Sequence, residues 1–248
     1  MNQQLTDITV ILDKSGSMHS LVVPTIKGYN NFKTEQEKAE GECVWTEVQF
    51  SSPGLRSRIF GDPPINADVN PGYQTTVAPT PIGAVRDLDG SNYRPGGGTA
   101  LYDAVGNTIN TIGKRLASTP EADRPGTVIV VITTDGFENA SVQFTGGDVK
   151  KMIEHQETKY GWQFIFMGAN QDAIETAGDL GIAQDAALSY AANHAGATAA
   201  YESLSANVVS NRKKRSKGVN ATLTFSKLDR QIQYDQGAND QLNSDGSA

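Results

Sequence analysis

Residues Ile8 to Leu12 form a run of five, four of them aliphatic, which stops abruptly at Asp13, Ser15 and Ser17, each separated from the next by one residue. A short apolar run bounded by polar residues suits a strand buried on both faces, as in a parallel sheet. Gly16 lets the backbone fold tightly between the two serines. The spacing aims one carboxylate and two hydroxyls at a common point beyond the strand's C-terminal end. These are hard oxygen donors, of the kind that Mg²⁺, Ca²⁺ or Mn²⁺ prefers. Taken alone, the same three residues also suit a polar turn that caps the next helix.

The rest of the chain repeats the strand-then-helix alternation. His19 to Lys38 has Val22, Ile26, Tyr29 and Phe32 at helical spacing, with Pro24 confined to the first turn and Gly41 beyond the end. Val44–Phe50 and Leu55–Phe60 read as a hairpin about the Ser51–Gly54 turn, with the second strand as an antiparallel edge. Gly61 to Pro95 carries six prolines and reads as a long loop, with a short helix over Ile82–Leu88. After Gly96-Gly97-Gly98, Thr99 stands where a helix cap belongs, and Leu101, Val105, Ile109, Ile112 and Leu116 form one apolar stripe. Val128 to Ile132 are five consecutive β-branched residues, the strongest strand signal, ending at Thr133-Thr134-Asp135-Gly136. Next come a helix over Thr145–Tyr160, a strand over Trp162–Met167, a helix over Asp172–Leu180, a strand near Ala187–Tyr190 and a helix over Ala197–Asn211. Val219–Leu228 reads as one added strand, and Gln236–Ala248 as disordered.

This alternation predicts an α/β fold, a doubly wound, mostly parallel sheet in the order 3-2-1-4-5-6 with helices on both faces. Residues 1–211 are read as the domain and 212–248 as a polar C-terminal extension. Ligands of such sheets bind beyond the strand carboxyl ends where the strand order reverses, so the loops at Asp13, Thr99 and Asp135 are expected to meet there.

Those three loops, with the words Gly98-Thr99-Ala100-Leu101-Tyr102-Asp103-Ala104 and Thr134-Asp135-Gly136, resemble the metal-ion-dependent adhesion site of von Willebrand factor A domains. The resemblance covers roughly residues 7 to 210 and is nearest the small stand-alone bacterial and phage members. It implies that Ser15, Ser17 and Thr99 bind a divalent ion, Mg²⁺ first, through their hydroxyls. Asp13 and Asp135 would bind it directly or through water. One open position would accept a Glu or Asp from a partner protein. By that resemblance the chain is a metal-dependent binding module and not an enzyme. Rival readings are a metal-dependent phosphoester hydrolase and a structural subunit of a phage particle or ATPase-linked assembly.

Other features point elsewhere only weakly. No G-K-[ST] comes after the glycine run, so it is not a phosphate loop. His19, His155 and His194 lack zinc spacing, and neither serine has a histidine motif to activate it. Asp103, in a helix first turn, suits the helix dipole or a bond to a neighbouring group. The run Arg212–Lys217 is basic, as helix C-termini commonly are, and the net charge of −7 gives no support for broad nucleic-acid binding. With a single cysteine, Cys43, no apolar run of membrane-spanning length and no basic leader, a cytoplasmic protein is expected.

Overall fold

The apolar run predicted to be central is central. In the computed structural model, which describes residues 1–52, 72–169 and 173–245, strand β1 (Asn2–Asp13) pairs in parallel with β2 (Glu42–Phe50) on one side and β4 (Pro125–Thr134) on the other. Ile8 stands between Trp45 and Ile129, and Leu12 beside Thr133. β5 (Gln163–Ala169) and β6 (Ala187–Tyr190) continue the sheet in parallel. β3 (Tyr73–Pro81) closes the other edge antiparallel to β2, giving the order β3-β2-β1-β4-β5-β6. The strand order therefore reverses between β1 and β4, as expected.

Helices cover both faces. On the face shared by Ile8 and Trp45, α1 (Val22–Lys38) brings Tyr29 and Phe32 onto the Trp45 ring, with centroids 5.7 and 5.2 Å away. The Trp45 indole donates to Tyr29 Oη at 2.7 Å, so the buried N–H has a partner. The helix α5 (His194–Arg215) packs beside α1, and the Tyr201 ring fills the notch left by Gly28. On the opposite face α2 (Leu101–Ser118) sends Arg115 to the buried Asp7 carboxylate at 2.5 Å. Helices α3 (Gly146–Tyr160) and α4 (Ala173–Asp179) come after β4 and β5.

Four sequence expectations need correcting or setting aside. The antiparallel edge is Tyr73–Pro81, inside the stretch read as loop; the proposed strand Leu55–Phe60 lies outside the described residues. Thr75, Thr76, Val77 and Thr80 favour an extended chain, and Pro79 and Pro81 are tolerated because an edge strand needs donors on one side only. Ile82–Leu88 supplies only a single turn of 3₁₀-helix, Ile82–Ala84. Val219–Leu228 is not a strand. Its Leu223 and Phe225 are buried, but their N–H groups donate to Gln163 Oε1 and to the Asp185 carbonyl. The chain then enters α6 (Lys227–Asp245), where disorder was expected from Gln236 on. Ser226 and Asp229 start it with reciprocal capping bonds, Asp229 N to Ser226 Oγ at 3.2 Å and Ser226 N to Asp229 Oδ2 at 2.6 Å. Arg230 pins it to the Ala187 and Gln184 carbonyls, both at 2.8 Å. No helix among the described residues is long and apolar enough to cross a membrane.

Tyr29→Phe should lower stability by about 1–3 kcal/mol in urea unfolding, because it strands the Trp45 N–H in a dry core. An unchanged midpoint would show that the indole bond contributes nothing.

Candidate metal centre

The carboxyl ends of β1 and β4 lie side by side, so the loops leaving them share one rim. Asp13, the last residue of β1, is fully buried. Its Oδ1 accepts the Ser15 N–H at 2.6 Å, and its Oδ2 accepts the Thr134 hydroxyl at 2.6 Å. Burial raises its pKa to about 6 against the pull of these neutral donors, and the nearby Asp135 charge adds to the rise. Ser15 Oγ lies 3.1 Å from Ser17 Oγ, and Ser17 Oγ donates to Asp135 Oδ1 at 2.6 Å. Asp135 is half-buried, and burial raises its pKa too. A Cβ on Gly136 would lie 3.0 Å from Thr99 Oγ1 and 3.5 Å from Ser17 Oγ, so both hydroxyls crowd onto the same glycine. The structure thus brings all five expected residues, Asp13, Ser15, Ser17, Thr99 and Asp135, to one rim.

The glycine run makes this approach possible. Gly96 N donates to the Lys14 carbonyl at 2.7 Å, Gly16 N to the Gly97 carbonyl at 2.9 Å, and Gly98 N to Ser52 Oγ at 3.0 Å. Gly97 has φ +82°, and a Cβ there would collide with the Ser52 carbonyl. A Cβ on Gly98 would sit 2.8 Å from both Asn139 Oδ1 and Ser52 Oγ. Next, Thr99 N donates to Asn139 Oδ1 at 2.9 Å, while Asn139 N and Ala140 N donate to the Thr99 carbonyl at 3.0 and 3.2 Å. The first loop, the glycine loop and the loop after β4 are therefore laced together through backbone atoms. Behind them, Tyr93 Oη donates to the Asp13 carbonyl at 2.6 Å, which ties the described end of the proline-rich stretch to the site.

Thr99 does not cap α2, contrary to the sequence expectation; the N-cap position is Ala100, without a side-chain cap. The capping acceptors come from the loop after β4. Glu138 Oε2 accepts the Tyr102 N–H at 2.9 Å and Ser141 Oγ accepts the Asp103 N–H at 3.0 Å. Asp103 in turn accepts the Val142, Gln143 and Phe144 N–H groups at 2.8–2.9 Å. Sequence reasoning missed Ser52, Glu138 and Asn139, and it quoted Thr134 beside Asp135 without assigning it a role. Only the polar pair Glu138-Asn139, so soon after Asp135-Gly136, offered a signal. His19 turns its Nδ1 to the Gly16 carbonyl at 2.8 Å, and Lys14 is half-buried, with a pKa lowered by burial.

The donor set suits a hard cation. Among the described residues no three His, Cys, Asp or Glu side chains cluster as metal ligands, so a metal here would rest on two carboxylates and three hydroxyls. That set fits Mg²⁺, Mn²⁺ or Ca²⁺ and not zinc, and Asp13 is a buried carboxylate with only neutral donors around it.

No protein-family model matches the chain, and no curated protein matches it. Solved structures do. The proximal thread matrix protein 1 of the mussel byssus is 16% identical with a TM-score of 0.53, over 84% of this chain and 48% of that one. The pilus adhesin SpaC of Lactobacillus rhamnosus GG, in its open conformation, is 14% identical with a TM-score of 0.56, over 83% of this chain and 30% of that one. This chain shares their fold. It spans less than half the length of either protein.

Gly97→Ala should destabilise the protein by at least about 1–3 kcal/mol, since it forces a side chain into the left-handed region and against a carbonyl. Asn139→Ala, which leaves the Thr99 N–H unpaired, should cost about 1–3 kcal/mol. Thermal unfolding of each variant at matched concentration checks both values.

Proposed function

We propose that this chain is a protein-binding module of the von Willebrand factor A type, in which a divalent cation, Mg²⁺ first, captures a Glu or Asp side chain of a partner. The observation that carries the reading is the convergence of two carboxylates and three hydroxyls, from three separate loops, at the point where the strand order reverses. A likeness in fold to a pilus adhesin and to a thread matrix protein agrees with a binding role and carries no more than that.

In this reading Ser15, Ser17 and Thr99 hold the cation through their hydroxyls, and Asp13 and Asp135 hold it directly or through water. When bound, the cation supplies a strongly electrophilic centre with a position for one incoming carboxylate. The protein's own groups do the rest. Thr134 and the Ser15 N–H fix Asp13, so its carboxylate is oriented before any ligand arrives. Asn139 and Ala140 fix the backbone of Thr99 from both sides. With three of the five donors neutral, the site would leave a bound divalent cation more electrophilic than an all-carboxylate set would.

Titration calorimetry should show one Mg²⁺ or Mn²⁺ site per chain, and Asp13→Ala should abolish the heat while circular dichroism stays unchanged. Oxygen distances of about 2.0–2.1 Å in a metal-soaked crystal would identify Mg²⁺, and about 2.3–2.6 Å Ca²⁺. A purified partner should be held in magnesium and released by chelator, by Thr99→Ala and by Asp135→Ala. Equal retention in chelator would defeat the reading and favour a structural subunit whose site only orders loops.

A further inference from the structure

The loop immediately after Asp135 combines two properties. Its backbone is tightly held. Asn139 and Ala140 N–H groups donate to the Thr99 carbonyl, Ala140 and Ser141 to Glu138 Oε1, and Val142, Gln143 and Phe144 to Asp103, while Asn139 Nδ2 donates to the Phe137 carbonyl. Yet it presents two large apolar side chains to solvent, Phe137 at 66% exposure and Val142 at 83%. Phe137 adjoins Gly136, the residue on which the Thr99 and Ser17 hydroxyls converge, so its Cα lies only about 3.8 Å from that glycine's. An exposed apolar side chain next to a polar rim is not part of the core of its own fold, and the backbone that carries it is already held before a partner arrives.

Charge at this lip does little to oppose an anionic partner. The two acids flanking it point inward. Glu138 accepts four hydrogen bonds, from Tyr102 N, Ala140 N, Ser141 N and Ser141 Oγ, and Asp103 accepts three backbone N–H groups. Both sit at the positive end of α2, which offsets their charge. An approaching carboxylate therefore meets little repulsion from the loop.

We infer that Phe137 forms an apolar lip beside the cation site and selects, among acidic partners, a protein segment whose Glu or Asp is flanked by a bulky apolar residue. The inference rests on the proposed cation-dependent capture and names the partner's second determinant. The carboxylate meets the site, and the neighbouring Leu- or Phe-like side chain covers the lip.

The test is an array of short peptides with a central Glu or Asp and neighbours drawn from Gly, Ser, Lys, Leu and Phe, probed with the full chain in magnesium. Leu- or Phe-flanked peptides should bind about tenfold more tightly than Gly-flanked ones. Phe137→Ser should erase most of that advantage, leaving the requirement for the acid, the magnesium dependence and the melting temperature unchanged. Equal binding of Gly-flanked peptides, a preference that survives Phe137→Ser, or no peptide binding beside an intact calorimetric magnesium site would each overturn the lip. So would a dimer in sedimentation that dissociates on Phe137→Ser, which would assign the lip to a second copy. An apolar preference that is lost in Phe137→Ser but persists in chelator would support the lip while overturning the cation reading.

Discussion

The buried carboxylate of Asp13 is the constraint around which this rim is built. A charged group with no exposure and no cationic partner is costly, and here it is met by the Ser15 N–H, the Thr134 and Ser15 hydroxyls and another acid's field. A fold that served stability alone would place an apolar residue at the end of such a strand. The strand leading to it, Ile8 to Leu12, is fully apolar on one face and is clamped between two parallel neighbours, so Asp13 cannot retreat toward water. The cost is inherent in the position, and a hard cation is the simplest partner that would relieve it.

Bringing the other donors to Asp13 needs loops that approach one another more closely than side chains allow. The glycine run answers that need through three consecutive residues, Gly96 by its N–H, Gly97 by its carbonyl and Gly98 by its N–H, each bonded to a different residue. Sheet register does the remainder. Since Leu12 pairs with Thr133, the next residues, Asp13 and Thr134, emerge together and bond to each other. Backbone hydrogen bonding, more than side-chain packing, therefore sets the spacing of the rim.

Much of this was legible in the sequence because two periodicities are clear. Unbroken β-branched or aliphatic runs marked the inner strands, and three- and four-residue spacings marked α1, α2 and α5; with the doubly wound rule these gave the order of the sheet, though not the residues of its antiparallel edge. The five rim residues were legible because hard oxygen donors stood in loops that follow a strand or precede a helix, in the order of the adhesion site they resemble. Features that depend on a distant partner escaped. Tyr73–Pro81 was hidden by its prolines, which only the knowledge that it is an edge makes acceptable. The start of α6 carried a readable signal in Ser226-x-x-Asp229, overridden by the polarity of the helix beyond it. Leu223 and Phe225 looked like strand residues because they are apolar and buried, but their donors face a glutamine side chain and a loop carbonyl.

The misreading of Thr99 is the most instructive. A threonine ahead of an apolar helix is expected to cap it, and local propensity offers no reason to doubt that. Here the acceptors are Glu138 and Ser141, from the loop after β4, far along the chain. This exchange has a physical consequence beyond the helix. It keeps the Thr99 side chain off the cap and turned toward Ser17 and Gly136. It also makes the start of α2 depend on the loop after Asp135, and Asp103 makes that loop depend on α2 in return. The segments that carry Thr99 and Asp135 are consequently joined by hydrogen bonds in both directions, so displacing either one breaks bonds to the other.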